Sequence, residues 1–228
     1  MILNSLNVSL PQSLKYGDWQ VETSGNKQSI ASAMLHFNDF EGNAQADLVN
    51  HGGPDKAVCV YPQVHYPFWE TMLGKSLSPG AFSENFTLAG DDALETNVCI
   101  GDIWQVGEAI VQVAGPRMPC RKLAARLGNK RVIEWCTGKG YTGYYLRVLQ
   151  ESLVSAGATI RVLEQSPTHV SVDAVNNILY HRERNPKIIA ALLASPGFSE
   201  GGKRWIEEIV KREPAWMDEV LRAQVRDL

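Results

Sequence analysis

The sequence predicts a mainly β fold that is followed by a small bundle of α-helices. Over residues 1–165, short apolar segments are separated by glycine-containing turns, a pattern typical of a barrel or a sandwich. After Pro167, apolar residues recur at three- and four-residue spacing, which indicates helices. We therefore expect a β-barrel domain at residues 1–165 and a helical extension at residues 166–228.

The strands are predicted from alternation and from short apolar runs. Residues 6–10 alternate apolar and polar side chains, which indicates a half-buried strand. Gly101-Asp102 and Gly107-Glu108 separate three later apolar segments at the spacing of hairpins. The expected strands are residues 6–10, 57–61, 98–100, 103–106, 109–113, 144–149 and 159–163.

The helices of the extension are predicted from their ends and their apolar stripes. Ser171 is suited to cap the first helix, and Asn185-Pro186 to begin the second. Ser195-Pro196-Gly197 ends that second helix. A third stripe includes Trp205, and a fourth includes Trp216. The side chains expected to face inward are Val172, Ile188, Leu192 and Trp205.

Composition narrows the class of protein. With 228 residues, 44% hydrophobic and 21% charged, the chain resembles a globular protein that needs no disulfide or metal to fold. A net charge of -3 argues against a nucleic-acid partner. No apolar run reaches the roughly 20 residues that span a bilayer. The four cysteines are dispersed and form no CxxC pair, so we expect a cytoplasmic protein.

Cys120 is the strongest candidate for chemistry. Pro119 is suited to the first position of a helix that ends at Gly128, which would place Cys120 in the first turn. Arg117, Arg121 and Lys122 are close in sequence. A helix N-terminus and nearby cations favour the thiolate, which is both a nucleophile and a soft metal ligand.

The alternative for any cysteine is a buried structural thiol. We favour that interpretation for the other three cysteines. Cys59 and Cys99 lie in apolar strand segments, and Cys136 has no setting in its sequence that would stabilise an anion.

Two further segments contain polar residues that suit a binding pocket. Gly52-Gly53 lets the backbone approach a ligand, Lys56 supplies a positive charge, and His51 can donate a proton. Glu84-Asn85 lies between aromatic residues, where the asparagine amide can orient a ligand. An ordinary turn explains either segment as well. The remaining histidines, at positions 36, 65, 169 and 181, are interpreted as surface or structural residues.

Taken together, these segments resemble the MOSC domain, the family named for the C-terminal part of molybdenum cofactor sulfurases. The resemblance rests on HGGPDKAV at residues 51–58, Glu84-Asn85, Ile100-Gly101-Asp102, and PRMPCRKL at residues 116–123. Within the family the chain is most similar to the YiiM-like branch, which has a C-terminal three-helix extension. Ser83 departs from the pattern, because glycine is expected before the Glu-Asn pair.

The resemblance implies a MOSC-type β-barrel that binds a molybdenum–pterin cofactor through a cysteine. By position, Cys120 is the expected metal ligand and catalytic residue. Lys56, Asn85 and Arg117 are expected in the cofactor pocket, together with the backbone of Gly52-Gly53. His51 is a candidate proton donor.

Related proteins, including the mitochondrial amidoxime-reducing component, reduce N-hydroxylated compounds such as 6-hydroxylaminopurine. The sequence has no iron–sulfur or flavin signature, so a separate protein is expected to donate electrons. Two other functions would need the same pocket. Cys120 could carry a persulfide as a sulfur carrier, or the chain could bind and deliver the cofactor without catalysis.

Overall fold

The computed structural model describes residues 1–48 and 52–212. Twelve strands and six α-helices are present in that part of the chain. The strands are β1 (Ile2–Val8), β2 (Gln12–Tyr16), β3 (Trp19–Thr23), β4 (Gln28–Ile30), β5 (Ser32–Leu35), β6 (Val58–Pro62), β7 (Phe86–Ala89), β8 (Ile103–Val106), β9 (Ala109–Pro116), β10 (Tyr144–Gln150), β11 (Ser152–Ser155) and β12 (Ile160–Glu164). The helices are α1 (Tyr66–Leu73), α2 (Arg121–Leu127), α3 (Val132–Lys139), α4 (Val172–Tyr180), α5 (Pro186–Ala194) and α6 (Glu200–Lys211).

Eight of the strands form one curled sheet in the order β12-β8-β9-β10-β6-β7-β1-β4. All neighbours in this sheet are antiparallel except β6 and β7, which are parallel. The curl brings β1 back to the turn before β12, where Leu3 N donates to Ala158 O at 2.9 Å and Ile160 N donates to Met1 O at 3.1 Å. The result is the predicted mainly β, barrel-like fold.

The helical extension packs into the same hydrophobic core as the sheet. Barrel residues such as Trp104 and Val113 belong to one buried cluster with Val172, Leu192 and Ile206 of the extension. Each large apolar side chain that is fully buried contributes roughly 1.5–3 kcal/mol. Ser199 N also donates to Ala114 O of β9 at 2.9 Å. This hydrogen bond holds the start of α6 against β9, the strand that precedes Cys120 in the chain.

Local signals predicted the helix ends of the extension correctly. Ser171 accepts a hydrogen bond from Ala174 N at 3.1 Å as the cap of α4. Asn185 accepts from Lys187 N at 3.1 Å as the cap of α5, and Pro186 is the first helical residue. The fourth stripe with Trp216 lies outside the described residues. No helix in the described part of the chain is long and apolar enough to cross a membrane.

Two predictions about buried segments were wrong. Residues 98–100 form only an isolated bridge, between Cys99 and Ser171, because Ile100 N donates to Val170 O of the extension rather than to a strand. Trp205 was expected to face inward but is 48% exposed, whereas Val172 and Leu192 are fully buried. The amphipathic α6 instead buries Ile206 and Val210.

The position of Ser83 explains why the family pattern favours glycine there. Ser83 has a φ of 63°, in the left-handed region, which is unfavourable for residues with a Cβ atom. The turn is needed because it aims Glu84 inward, where its carboxylate accepts from Gly80 N at 2.9 Å and from Phe82 N at 3.0 Å. Serine is therefore held in a strained conformation by the bonds of its neighbour.

We expect Ser83→Gly to raise the free energy of unfolding by up to about 1 kcal/mol, because glycine adopts this conformation without strain. Urea denaturation measures the effect. Ser83→Ala is the matched control, since it removes the hydroxyl but keeps Cβ, and it should give no gain. Equal gains in both variants would attribute the effect to the hydroxyl rather than to the backbone.

Candidate functional site

A narrow cavity of about 110 Å³ opens beside the cysteine segment, and we call it the inner cavity. Its walls come from the end of β3, the start of β6, β10, the segment that follows β9 and the start of α2. Residues 23–27, 43–47 and 83–85 complete the wall. The sequence-predicted residues Lys56, Asn85, Arg117 and Cys120 all line it. Residues that are far apart in sequence therefore meet at one place, as a binding site requires.

Cys120 is the N-cap residue of α2 and does not lie in its first turn as predicted. The helix begins one residue later, at Arg121, because Cys120 has an extended backbone with φ -130° and ψ 171°. The carbonyl of Cys120 accepts from Leu123 N at 3.0 Å and from Ala124 N at 3.3 Å. The cysteine is thus fixed by the start of the helix while its side chain lines the cavity.

Two of the three cations expected to surround Cys120 have partners elsewhere. The Arg121 guanidinium lies 4.5 Å from the ring centroid of Trp19. Lys122 Nζ forms an ion pair with Asp47 Oδ2 at 3.2 Å. Arg117 is the member of the group that is buried in the wall of the inner cavity.

Arg117 is buried, with 6% of its surface exposed. Its backbone N donates to Gly143 O at 3.0 Å, which fixes the residue at the end of β9. Within the described residues its Nη1 atom has no hydrogen-bond partner. A buried donor without an acceptor is unfavourable by about 1–3 kcal/mol, and by more when it is charged. The position is therefore suited to an anionic acceptor in the cavity.

The structure adds a residue that the sequence analysis missed. Lys27 is 7% exposed and lines the inner cavity. Its Nζ donates to Asn43 Oδ1 at 2.6 Å, and Asn43 Nδ2 donates to Asp39 Oδ1 at 2.6 Å. Burial lowers the pKa of Lys27 to about 8, although the negative charge of Asp39 opposes this. No motif marks Lys27 in the sequence, because only the fold carries this loop lysine into the interior.

Lys56 and Asn85 have different roles in the wall of the inner cavity. Lys56 ends a short 3₁₀ helix, Pro54–Lys56, and burial lowers its pKa. The amide of Asn85 is used by the fold, since Oδ1 accepts from Cys59 N at 3.1 Å and Nδ2 donates to Asn7 O at 3.2 Å. Asn85 therefore shapes the cavity wall by joining β1, β6 and the start of β7.

The remaining predicted site residues are Gly52, Gly53 and His51. Gly53 has a φ of 95°, and a Cβ at Gly52 would lie 2.7 Å from Leu48 Cα, so the chain path requires both glycines. Neither glycine is among the described residues that line the inner cavity. Their contact with a cofactor stays a prediction. His51 lies outside the described residues.

The inner cavity also contains a second thiol, which the sequence analysis had interpreted as structural. Cys59 on β6 pairs with Tyr145 on β10, and both residues line the cavity. Burial raises the pKa of the Cys59 thiol, and this outweighs the opposing effect of Arg117. Cys59 is thus a protonated thiol at neutral pH. Cys99 and Cys136 lie outside the cavity wall.

A buried polar network supports the cavity from behind. His65 Nε2 lies 2.8 Å from Glu95 Oε2, and Gly143 N donates to Glu95 Oε1 at 2.8 Å. Gly143 in turn accepts from the backbone of Arg117 at 3.0 Å. A Cβ at Gly143 would lie 2.3 Å from Val60 O, so the strands approach closely here. The network holds the backbone of Arg117 in place.

A wider cavity of about 660 Å³ lies on the other side of Cys120, and we call it the outer cavity. It is bounded by the cysteine segment, by α4 and by the first half of α6. The residues that line both cavities are Asp47, Lys56, Met118, Cys120, Lys122 and Tyr145. Cys120 therefore lies between the inner cavity, which is lined by buried cations, and the larger outer cavity.

Comparison with known proteins identifies the family of the chain. The family model of the MOSC domain matches residues 47–161, a segment that includes Lys56, Arg117 and Cys120. The chain is also 47% identical over 210 residues to the uncharacterized protein YflK of Bacillus subtilis, covering 92% of this chain and 93% of that protein. The chain belongs to the MOSC domain family. This family is associated with the molybdenum cofactor.

Two other similar proteins extend the comparison. The crystal structure of YiiM from Geobacillus stearothermophilus superposes with a TM-score of 0.77 at 31% identity, covering 91% of this chain and 98% of that one. A protein of Gibberella moniliformis described as a reductase is 32% identical over 150 residues, which is 64% of this chain and 26% of that protein. The match to YiiM extends over both the MOSC barrel and the helical extension.

We expect Lys27→Met to stabilise the ligand-free protein at neutral pH. The pKa of Lys27 falls from 10.5 to about 8 on folding, so below pH 8 the folded state holds a charge that burial disfavours. This penalty disappears as the pH rises to about 10.5, where the lysine is neutral in both states. The gain in the free energy of unfolding should be at most about 3 kcal/mol near pH 7.

Urea denaturation of wild type and Lys27→Met between pH 7 and pH 10 tests this. Asn43 Oδ1 still accepts from Ser9 N at 2.9 Å after the substitution, so no buried acceptor is left without a donor. The difference between the two proteins should shrink as the pH rises. A difference that stays constant would show that the ammonium is not disfavoured by burial.

Proposed function

We propose that this MOSC protein is a molybdenum-cofactor-dependent oxidoreductase that reduces N-hydroxylated compounds, with Cys120 as the molybdenum ligand. The observation that supports it most directly is the inner cavity, whose wall contains both Cys120 and the buried Arg117. The Nη1 atom of Arg117 has no hydrogen-bond partner among the residues that the structure describes. A thiol next to buried cations suits a soft metal that brings anionic groups with it. The donors present therefore fit the cofactor.

Different residues would bind the metal and the pterin portion of the cofactor. Cys120 would supply the thiolate to the metal, and Arg117, Lys27 and Lys56 would hold the anionic groups of the pterin portion. Arginine offers a planar pair of donors to a phosphate, whereas each lysine acts as a point charge. When bound, the cofactor supplies the redox chemistry, and the protein supplies orientation, charge and exclusion of water.

The proposed reaction requires an external reductant. The N–O bond of the substrate breaks, the nitrogen gains a proton, and the oxygen leaves as water, with consumption of two electrons and two protons. We propose that a separate protein donates the electrons and that the reaction takes place in the cytoplasm. His51 remains our candidate proton donor. The match to a protein described as a reductase supports the reaction class.

Substitution of Cys120 tests the ligand assignment. We expect Cys120→Ser to abolish molybdenum retention while leaving the thermal unfolding midpoint within a few degrees of wild type, because the side chain makes no capping hydrogen bond to α2. Metal and pterin content per chain are measured after expression in a host that makes the cofactor. Cys99→Ser is the control, since Cys99 lies outside the cavity wall; Cys59→Ser is not, because Cys59 lines it.

Loss of reduction of an N-hydroxylated substrate should accompany loss of the metal in Cys120→Ser. Comparable molybdenum in mutant and wild type would refute the ligand assignment. If loaded wild type reduces no N-hydroxylated substrate but transfers sulfur from Cys120, the protein is a sulfur carrier. If it does neither, it delivers the cofactor.

Substitution of Arg117 or Lys56 should lower the retention of the cofactor without changing the turnover of the molybdenum that stays bound. We expect Arg117→Lys to lower cofactor occupancy about tenfold, since one bidentate contact is lost while the charge remains. Lys56→Ala should lower it less, and lower ionic strength should partly restore occupancy because screening decreases. Occupancy after dialysis at two salt concentrations gives the comparison, and turnover per bound molybdenum should stay unchanged. A fall in that turnover would assign these residues to the chemistry.

A further inference from the structure

The helices α1, α2 and α3 pack around one buried cluster on the outside of the barrel. The cluster includes Trp69 of α1, Leu123 of α2 and Val132 of α3. Among the described residues, none from α1 or α3 lines the inner or the outer cavity. These two helices therefore lie outside the proposed cofactor site.

The segment that supplies α2 and α3 is strongly basic. Residues 117–139 contain seven lysines and arginines and a single acidic residue, Glu134. The segment thus has a charge of +6, and since the whole chain has a charge of -3, all other residues together have -9. Positive charge is concentrated in one short segment of an acidic chain.

Four exposed cations of this region define a surface that we call the basic face: Lys75, Lys130, Arg131 and Lys139. Lys75 follows α1, and its Nζ donates to Leu127 O, at the end of α2, at 3.0 Å. Lys130 and Arg131 lie in the turn between α2 and α3. Lys139 is the last residue of α3.

Aromatic rings beneath the basic face connect its two ends. The Arg131 guanidinium lies 4.9 Å from the ring centroid of Trp135, and Lys139 Nζ lies 5.9 Å from that of Phe68. Trp69 contacts both rings, with centroid distances of 6.5 Å to Trp135 and 5.0 Å to Phe68. The cations at both ends of α3 therefore lie over one continuous aromatic surface.

Little negative charge offsets the basic face. Within the part of the chain that the structure describes, its acidic partner is Glu134, whose Oε2 lies 3.8 Å from Arg131 Nε. Both side chains are exposed, and ion pairs of this kind contribute little to stability. A surface of like charges disfavours the isolated chain through repulsion, whereas it speeds association with an acidic partner.

The basic face is close to the proposed metal ligand, because α2 joins the two. Cys120 is the N-cap of α2, and Leu127 at the other end of the helix is bonded to Lys75. The helix has seven residues, which at ~1.5 Å per residue gives a length of about 10 Å. A protein that binds the basic face is therefore about one short helix away from Cys120.

We propose that the basic face is the docking surface for a small acidic protein that carries a flavin or an iron–sulfur centre and donates electrons to the reaction. This inference rests on the proposed function, which requires a donor, and it adds the surface and the charge of that donor. The donor centre is oxidised by two electrons, in one or two docking events. The N–O bond of the substrate is reduced, and the two protons come from water.

Charge reversal on the basic face tests this. Reduced flavodoxin and reduced ferredoxin, two small acidic proteins, are offered as electron donors to cofactor-loaded protein. Lys130→Glu combined with Lys139→Glu should raise KM about tenfold at low salt for whichever donor supports turnover. The effect should shrink at high salt because screening increases. Turnover with reduced methyl viologen should stay unchanged, since a small molecule needs no docking surface.

Arg161→Glu combined with Lys187→Glu is the matched control. It changes the net charge by the same amount, at exposed residues of β12 and α5 that lie outside the basic face. The KM for the acidic donor should stay unchanged in this control. An equal rise of KM in both double variants would overturn the proposal, because net charge rather than the basic face would then attract the donor.

Direct binding, measured by calorimetry, distinguishes failure of this inference from failure of the proposed function. If wild type reduces no N-hydroxylated compound but binds flavodoxin or ferredoxin about tenfold more tightly than Lys130→Glu with Lys139→Glu does, the reaction is wrong and the docking surface stands.

The opposite results count against the docking surface. If wild type reduces the substrate with methyl viologen but binds neither acidic protein, or if the Lys130→Glu and Lys139→Glu double variant binds them equally well, the docking surface is wrong and the reaction stands. Tighter binding of a short DNA duplex than of either protein would assign the basic face to nucleic acid and would also overturn the proposal.

Discussion

The buried charge of Arg117 is the constraint on which the site depends. Among the residues that the structure describes, its Nη1 atom has no hydrogen-bond partner, and a buried guanidinium donor of this kind is unfavourable unless an anion offsets it. The chain has a net charge of -3, yet it directs Lys27, Lys56 and Arg117 into one cavity. Such a concentration of positive charge lowers the stability of the ligand-free fold, and a bound anionic group would remove the penalty.

The barrel is arranged so that this charge is held rigidly. Arg117 follows directly after β9, and its backbone is bonded to Gly143. Gly143 is bonded to the buried Glu95, which also contacts His65. Because each of these groups is satisfied by the next, the backbone of Arg117 cannot move away from the cavity without breaking several buried bonds.

The helical extension shares the barrel core and also forms a wall beside Cys120. Ser199 bonds to β9, and Phe198 packs over Gly115 of the same strand. These contacts bring α6 to the cysteine segment, so the space in front of Cys120 is shaped by both parts of the chain. A MOSC barrel without this extension would present its cysteine to a more open surface.

Features that depend on neighbouring residues could be read from the sequence alone. They include the mainly β class, the caps at Ser171 and Asn185, the cysteine segment with Arg117, and the turn at Gly107-Glu108 between β8 and β9. Capping, turn formation and strand alternation are decided over a few residues, so a short window contains the relevant physics. Only the tertiary structure revealed Lys27 and Cys59 in the inner cavity and Trp205 on the wall of the outer one. Burial and direction of a side chain depend on which distant strands and helices pack around it, and no local pattern encodes that.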